Sequence, residues 1–184
     1  MATSKVAVLI GSLRRESLNR KMAHVLIGLA PDTLQTEIVP IGDLPLYNQD
    51  LEEQLPPAWA AFRERIRGVQ AVLFATPEYN RSVPAVLKNA LDVGSRPAAK
   101  SVWGGKPCAI VSVSPGAIGG FGANHHLRQS LVFLNMPALP REAYMGGADK
   151  LLDAAGKLSN ASAGEFLGAF MQAFAAWVQL HAAR

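Results

Sequence analysis

The sequence predicts an α/β fold, a doubly wound parallel sheet with helices on both faces. Three observations predict it. Three short apolar runs, Val6–Ile10, Val69–Ala75 and Ala109–Val113, are continuous rather than alternating. Continuous apolarity marks strands covered on both faces, as in parallel sheets. Helical patterns lie between these runs, so strand and helix alternate along the chain. The chain has 184 residues, 49% hydrophobic and 17% charged, enough for one domain spanning 1–184 with a substantial core.

Two further strands complete the sheet, Gln35–Val39, which is more polar, and a weaker signal near Ala138–Tyr144. Helices are expected at Leu18–Leu29, at Ala58–Arg67 after Pro56-Pro57, at Pro84–Val93 with Ser82 as cap, at Asn124–Leu134, and from about Ser162 to His181. Five strands in this alternation fit the flavodoxin-like order 2-1-3-4-5. In the last helix Phe166, Phe170, Phe174 and Trp177 form a stripe, read as a face packed on the sheet.

Composition bounds the function. Eighteen Lys and Arg against 14 Asp and Glu leave a net charge of +4. That excess suits small anions, and no basic run with interleaved aromatics favours nucleic acid. No segment reaches the ~20 apolar residues of a membrane span. Met1-Ala-Thr-Ser-Lys5 leads straight into a strand, with no leader pattern, so a cytoplasmic protein is expected. The single cysteine, Cys108, sits in an apolar run and reads as a small buried hydrophobe. His125 and His126 are adjacent, so on a helix they face different ways, and no metal pattern is present.

The most informative stretch is Gly11-Ser-Leu-Arg-Arg-Glu-Ser-Leu-Asn19, between the first strand and the first helix. Free N–H groups and the helix dipole favour an anion there. Ser12, Ser17 and Asn19 add neutral donors, and Arg14 adds a planar charged fork. The glycine spacings of the Walker and dinucleotide loops are absent, which suits a single terminal phosphate. The plainer alternative is a solvated arginine face with Ser17 as an N-cap.

Two more loops leave the same sheet edge, where doubly wound folds bind ligands. Pro77-Glu-Tyr-Asn-Arg-Ser-Val-Pro84 can present polar groups to a heterocycle. Ser114-Pro-Gly-Ala-Ile-Gly-Gly120 can bring backbone close to a flat ring through Gly116, Gly119 and Gly120. A rigid connection and a flexible turn are their plainer readings.

At these residues the chain resembles the NADPH-dependent FMN reductase family, which includes bacterial quinone and chromate reductases. The matching pieces are Gly11-Ser-Leu-Arg14 with Ser17 and Asn19, and Pro77-Glu-Tyr-Asn80 with Ser82, Pro84 and Leu87-Lys-Asn-Ala-Leu-Asp92. Leu44-Pro-Leu-Tyr47 with Asp50, and Met145-Gly-Gly147, match as well. The resemblance implies a flavodoxin-like homodimer or tetramer with FMN bound non-covalently. It implies that Ser12, Arg14, Ser17 and Asn19 hold the FMN phosphate, and that Pro77, Glu78, Tyr79 and Asn80 line the isoalloxazine. Ser114, Gly116, Gly119 and Gly120 would flank the other polar edge. Arg81 and His125 stand where some relatives have aromatics.

The expected chemistry is ping-pong hydride transfer from NADPH, with NADH also possible, through FMN to a flavin, quinone or similar acceptor. The cofactor carries that chemistry, so no catalytic side chain is assigned. The alternative is a flavodoxin-like electron carrier, although such carriers are usually acidic. Hydrolysis is disfavoured because Ser112-Val-Ser114-Pro-Gly lacks the first glycine of a nucleophile elbow. Trp59, Phe62, Trp103 and Leu46-Tyr47 are expected to be incompletely buried and to mark a dimer contact, with Tyr47–Asp50 reaching a neighbour's flavin.

Overall fold

The structure, a computed structural model, describes residues 3–182. Strands β1 (Ser4–Ile10), β2 (Leu34–Ile38), β3 (Ala71–Thr76), β4 (Cys108–Val113) and β5 (Ala143–Met145) form one sheet in the order 2-1-3-4-5. Every pairing is parallel, which demands the helical crossovers that the sequence pattern anticipates. The crossover and terminal helices are α1 (Leu18–Gly28), α2 (Pro57–Arg67), α3 (Ala85–Ser95), α4 (Phe121–Phe133), the single turn α5 (Ala148–Leu151) and α6 (Ala161–Ala182).

The side-chain period of 2 splits each central strand between two cores. Val6, Val8 and Ile10 of β1 pack with Met22 and Leu26 of α1 and with Phe170 and Phe174 of α6. Ala7 and Leu9 pack on the other face with Trp59 and Phe62 of α2, Leu87 of α3 and Leu127 of α4. Both faces are therefore apolar, which explains the continuous runs. Ile10 pairs with Ala75, Thr76 with Ser112 and Val113 with Met145, so four strands end at one level.

Several expectations need correcting. Trp59, Phe62 and Trp103 are 1%, 3% and 0% exposed, so they fill the second core and mark no contact surface. Leu46 is exposed, as expected. Phe166 is also exposed, and the Arg141 guanidinium lies 5.7 Å from its ring centroid instead of a sheet residue. Helix α4 starts three residues early, at Phe121, because the left-handed Gly119 and Gly120 (φ +66° and +76°) turn the chain before it. Strand β5 is only three residues long. Ala138 touches Cys108 in an isolated bridge, and Pro140 then follows Leu139, which removes a donor from the ladder. The turn α5 and the Leu152–Leu158 bridge have too little periodicity to be read in advance.

Gly94 shows how tightly the second core is packed. A Cβ there would stand 2.5 Å from two atoms of the Trp103 indole. That ring cannot retreat, because it is fully buried and its Nε1 donates to the Leu91 carbonyl at 2.9 Å. Two effects oppose each other in Gly94→Ala. Alanine is the better helix former by ~1 kcal/mol, whereas overpacking costs ~1–3 kcal/mol. With the indole trapped, overpacking wins, and urea denaturation should show a net loss of stability. A variant as stable as the parent would mean that the slot around Trp103 is looser than its geometry.

Candidate functional site

The loops after β1, β3 and β4 enclose a cavity of about 290 Å³ at the carboxyl edge of the sheet. Ser12, Arg14, Ser17, Leu18 and Asn19 line one end, Pro77, Glu78 and Tyr79 one wall, and Val113, Ser114 and Pro115 the other. Eight of the twelve residues named from sequence therefore meet in one place. Asn80, Gly116, Gly119 and Gly120 do not line it.

The first loop is drawn in by Gly11. Its N–H donates to the Ala75 carbonyl at 2.8 Å. A Cβ on Gly11 would lie 3.1–3.3 Å from Pro84, Pro77 and Leu87, so glycine lets the first two loops close on each other. Ser17 then caps α1, its hydroxyl oxygen accepting the Arg20 N–H at 3.2 Å. The hydroxyl proton remains free to donate into the cavity. The N–H groups of Leu18 and Asn19 have no acceptor within the helix, as in any first turn.

Asn19 carries a second signal. Its Nδ2 donates to the Val113 carbonyl at 3.4 Å, and its buried Oδ1 has no partner. Reversing the amide would set two acceptors against each other, so Val113 fixes the orientation. A buried acceptor left alone costs about 1–3 kcal/mol. Asn19 thus offers an oxygen to a donor in the cavity.

The second loop is tied to α4. Glu78 Oε2 accepts the Ala123 N–H at 3.1 Å, and Oε1 pairs with Arg81 at 3.3 Å. Glu78 therefore caps a helix as well as lining the wall. Gly122 makes room for it, since a Cβ there would lie 2.8 Å from the Arg81 carbonyl and 2.9 Å from Glu78 Oε2. Ser82 bonds His126 Nδ1 at 3.0 Å and does not cap α3, which has no side-chain cap. Asn80 turns the chain with φ +50° and lies outside the cavity.

The third loop owes its glycines partly to packing. A Cβ on Gly119 would stand 2.8 Å from the Tyr144 backbone, and one on Gly120 3.0 Å from Ser112 Cβ. Beside this loop Tyr144 OH lies 3.0 Å from His125 Nε2. Burial first, and then the Glu142 carboxylate, push the Tyr144 phenol up to about 12. Burial likewise pushes the Cys108 thiol up to about 12, which suits a core residue rather than a nucleophile.

Sequence reasoning missed Asn89 and Asn124. Asn89 accepts the Tyr47 N–H at 2.8 Å and donates to the Leu44 and Pro45 carbonyls at 3.1 Å, pinning the loop before α2. The fully buried Asn124 donates to Ser112 Oγ at 3.3 Å and accepts from Arg128 Nε at 3.1 Å. Asn89 lies within Leu87-Lys-Asn-Ala-Leu-Asp92, and polarity on the inward face of a helix was the available signal for both. Among the described residues no cluster of three His, Cys, Asp or Glu could hold a metal.

A phosphate-suited helix start, a narrow cavity and two loop walls at a sheet switch point define a flavodoxin-type binder of a phosphorylated, planar ligand. The comparisons with known proteins narrow this class. Residues 4–150 match the NADPH-dependent FMN reductase family, and the chain belongs to that family. It is 63% identical over 180 residues to a quinone reductase of Pseudomonas putida, covering 97% of this chain and 96% of that one. It is 45% identical over 176 residues to a 2-hydroxy-1,4-benzoquinone reductase of a Burkholderia species, covering 95% and 96%. The solved structure of the flavoenzyme NAD(P)H:(acceptor) oxidoreductase FerB from Paracoccus denitrificans superposes with a TM-score of 0.91 at 39% identity, covering 97% and 99%. The chain is therefore an FMN-dependent oxidoreductase that draws electrons from a reduced nicotinamide nucleotide.

Proposed function

We propose that this enzyme reduces quinones and similar small acceptors, taking electrons from NAD(P)H through FMN held in the cavity between the three loops. The observation that carries the reading is the meeting of Ser12, Arg14, Ser17 and Asn19 at one end of that cavity, with Pro77–Tyr79 and Ser114 along its walls. Quinone reductases among the similar proteins support the acceptor class.

In this reading Arg14 and the Ser12 and Ser17 hydroxyls hold the FMN phosphate at the start of α1. The Asn19 oxygen suits a ribityl hydroxyl better, since a phosphate dianion has no proton to give it. Tyr79, Pro77 and Glu78 bound the ring on one side, and Ser114 with the loop through Gly116, Gly119 and Gly120 closes the other. Asn80 positions Tyr79 through the turn. FMN held there would supply the hydride-transfer chemistry between NAD(P)H and the acceptor, so the protein's own work is to bind, orient and screen.

The reading takes residues 1–184 as one domain, acting in the cytoplasm as a homodimer. Among the described residues no helix is long and apolar enough to cross a membrane. With Trp59, Phe62 and Trp103 buried, the most exposed large apolar residues among those described are Leu46 and, on α4, Val132 and Phe133, 73% and 86% exposed. Exposed large apolar groups of this kind favour pairing.

Three outcomes are expected. The purified protein should be yellow and bleach with NADPH, with parallel double-reciprocal lines across quinone concentrations. Colour without bleaching would instead support an electron carrier. Arg14→Ala should weaken FMN binding by about 1.5–3 kcal/mol, roughly tenfold to a hundredfold, with Arg15→Ala and riboflavin binding changed far less. Equal losses for FMN and riboflavin would refute the phosphate assignment. Sedimentation at micromolar concentration should find a dimer, and Phe133→Glu should shift it towards monomer.

A further inference from the structure

We infer that Arg81 is the residue that selects NADPH over NADH, by binding the adenosine 2′-phosphate; this rests on the reductase reading above. Asn80 and Arg81 form a two-residue turn, with φ +50° and +62°. Reciprocal bonds close it, Tyr79 N–H to the Ser82 carbonyl at 3.1 Å and Ser82 N–H to the Tyr79 carbonyl at 2.9 Å. Two successive positive φ values make a type I′ turn, which favours Asn and Gly at its centre. Asn80 obeys that preference. Arg81, long and charged, holds the position that glycine would take without strain. A residue kept against backbone preference points to work done by its side chain.

The mounting of the turn points the same way. Glu78 is bonded to Ala123 of α4, and Ser82 is bonded to His126 of the same helix. Gly122 lets the Arg81 carbonyl come close to α4. The backbone beneath Arg81 is therefore held from both ends, while its side chain is 72% exposed. One guanidinium nitrogen reaches Glu78 at 3.3 Å, which leaves most of its donors free. Arg81 does not line the cavity, yet it adjoins Glu78, which does. It is thus placed to meet a ligand that extends beyond the flavin site. A dinucleotide presenting its nicotinamide to the ring has such an end, and a dianionic phosphate is the group an arginine fork fits best.

The plainer role for Arg81 is to neutralise Glu78, and the test separates the two. Arg81→Gly removes the guanidinium while relieving the turn, so the protein should fold with a melting temperature equal to or above the parent's. The FMN-loaded protein is titrated by calorimetry with 2′,5′-ADP and with 5′-ADP, and kcat/KM is measured for NADPH and NADH. The parent should prefer the 2′-phosphorylated member of each pair. In Arg81→Gly the NADPH-to-NADH ratio of kcat/KM, and the preference for 2′,5′-ADP, should each fall by about tenfold to a hundredfold, the loss of one charge-assisted bond. Arg81→Lys should retain part of both. A parent without preference, or a variant whose ratio is unchanged because both nucleotides suffer alike, overturns the assignment. A protein that takes up FMN but is bleached by neither nucleotide overturns the reductase reading itself.

Discussion

The constraint on which the rest depends is the burial of β1 and β3 side by side at the centre of the sheet. Each strand is apolar on both faces. The chain leaving β1 turns to one face as α1, and the chain leaving β3 turns to the other as α3. The two loops must diverge, and a crevice opens between them by topology alone. Its depth is then set by Gly11, where the missing Cβ lets Pro77, Pro84 and Leu87 close in underneath. A sheet edge thereby becomes a narrow cleft with a charged end and two walls of mixed polarity.

The walls are not independent. Glu78 belongs to the second loop but caps α4, which grows out of the third. Asn124 in that helix reaches β4 through Ser112, and Arg128 ties it onward to the Leu139 carbonyl at 3.0 Å. Asn19 joins the first loop to β4 through Val113. Polar contacts thus link loops that the core leaves separate, and buried side-chain networks of this kind hold geometry more firmly than isolated bonds.

Most of the fold was legible because the central strands are continuous apolar runs and helical patterns fall between them. The grouping of Ser12, Arg14, Ser17 and Asn19 at one end of the cavity was legible because they share one short strand-to-helix turn. Elsewhere the signals were local and the causes were not. Trp59 and Trp103 read as spare aromatics because nothing in their own segments shows that Tyr47 stacks on Trp59, or that Phe62 and Gly94 meet Trp103. Ser82 read as a helix cap because its partner, His126, lies 44 residues away. Gly119 and Gly120 suggested room for a ring, and the close approach of Tyr144 and Ser112 to them was not visible locally. Glycine marks a close approach without naming what approaches.

The sheet margins carry a further consequence. The outer strand β5 has three residues, and β2 has five, with Glu37 paired to Arg65 of α2. Brief, charge-marked margins offer little template for another strand. The chain is thereby guarded against fibre-like stacking, in which one copy's backbone ladder would be extended by the next.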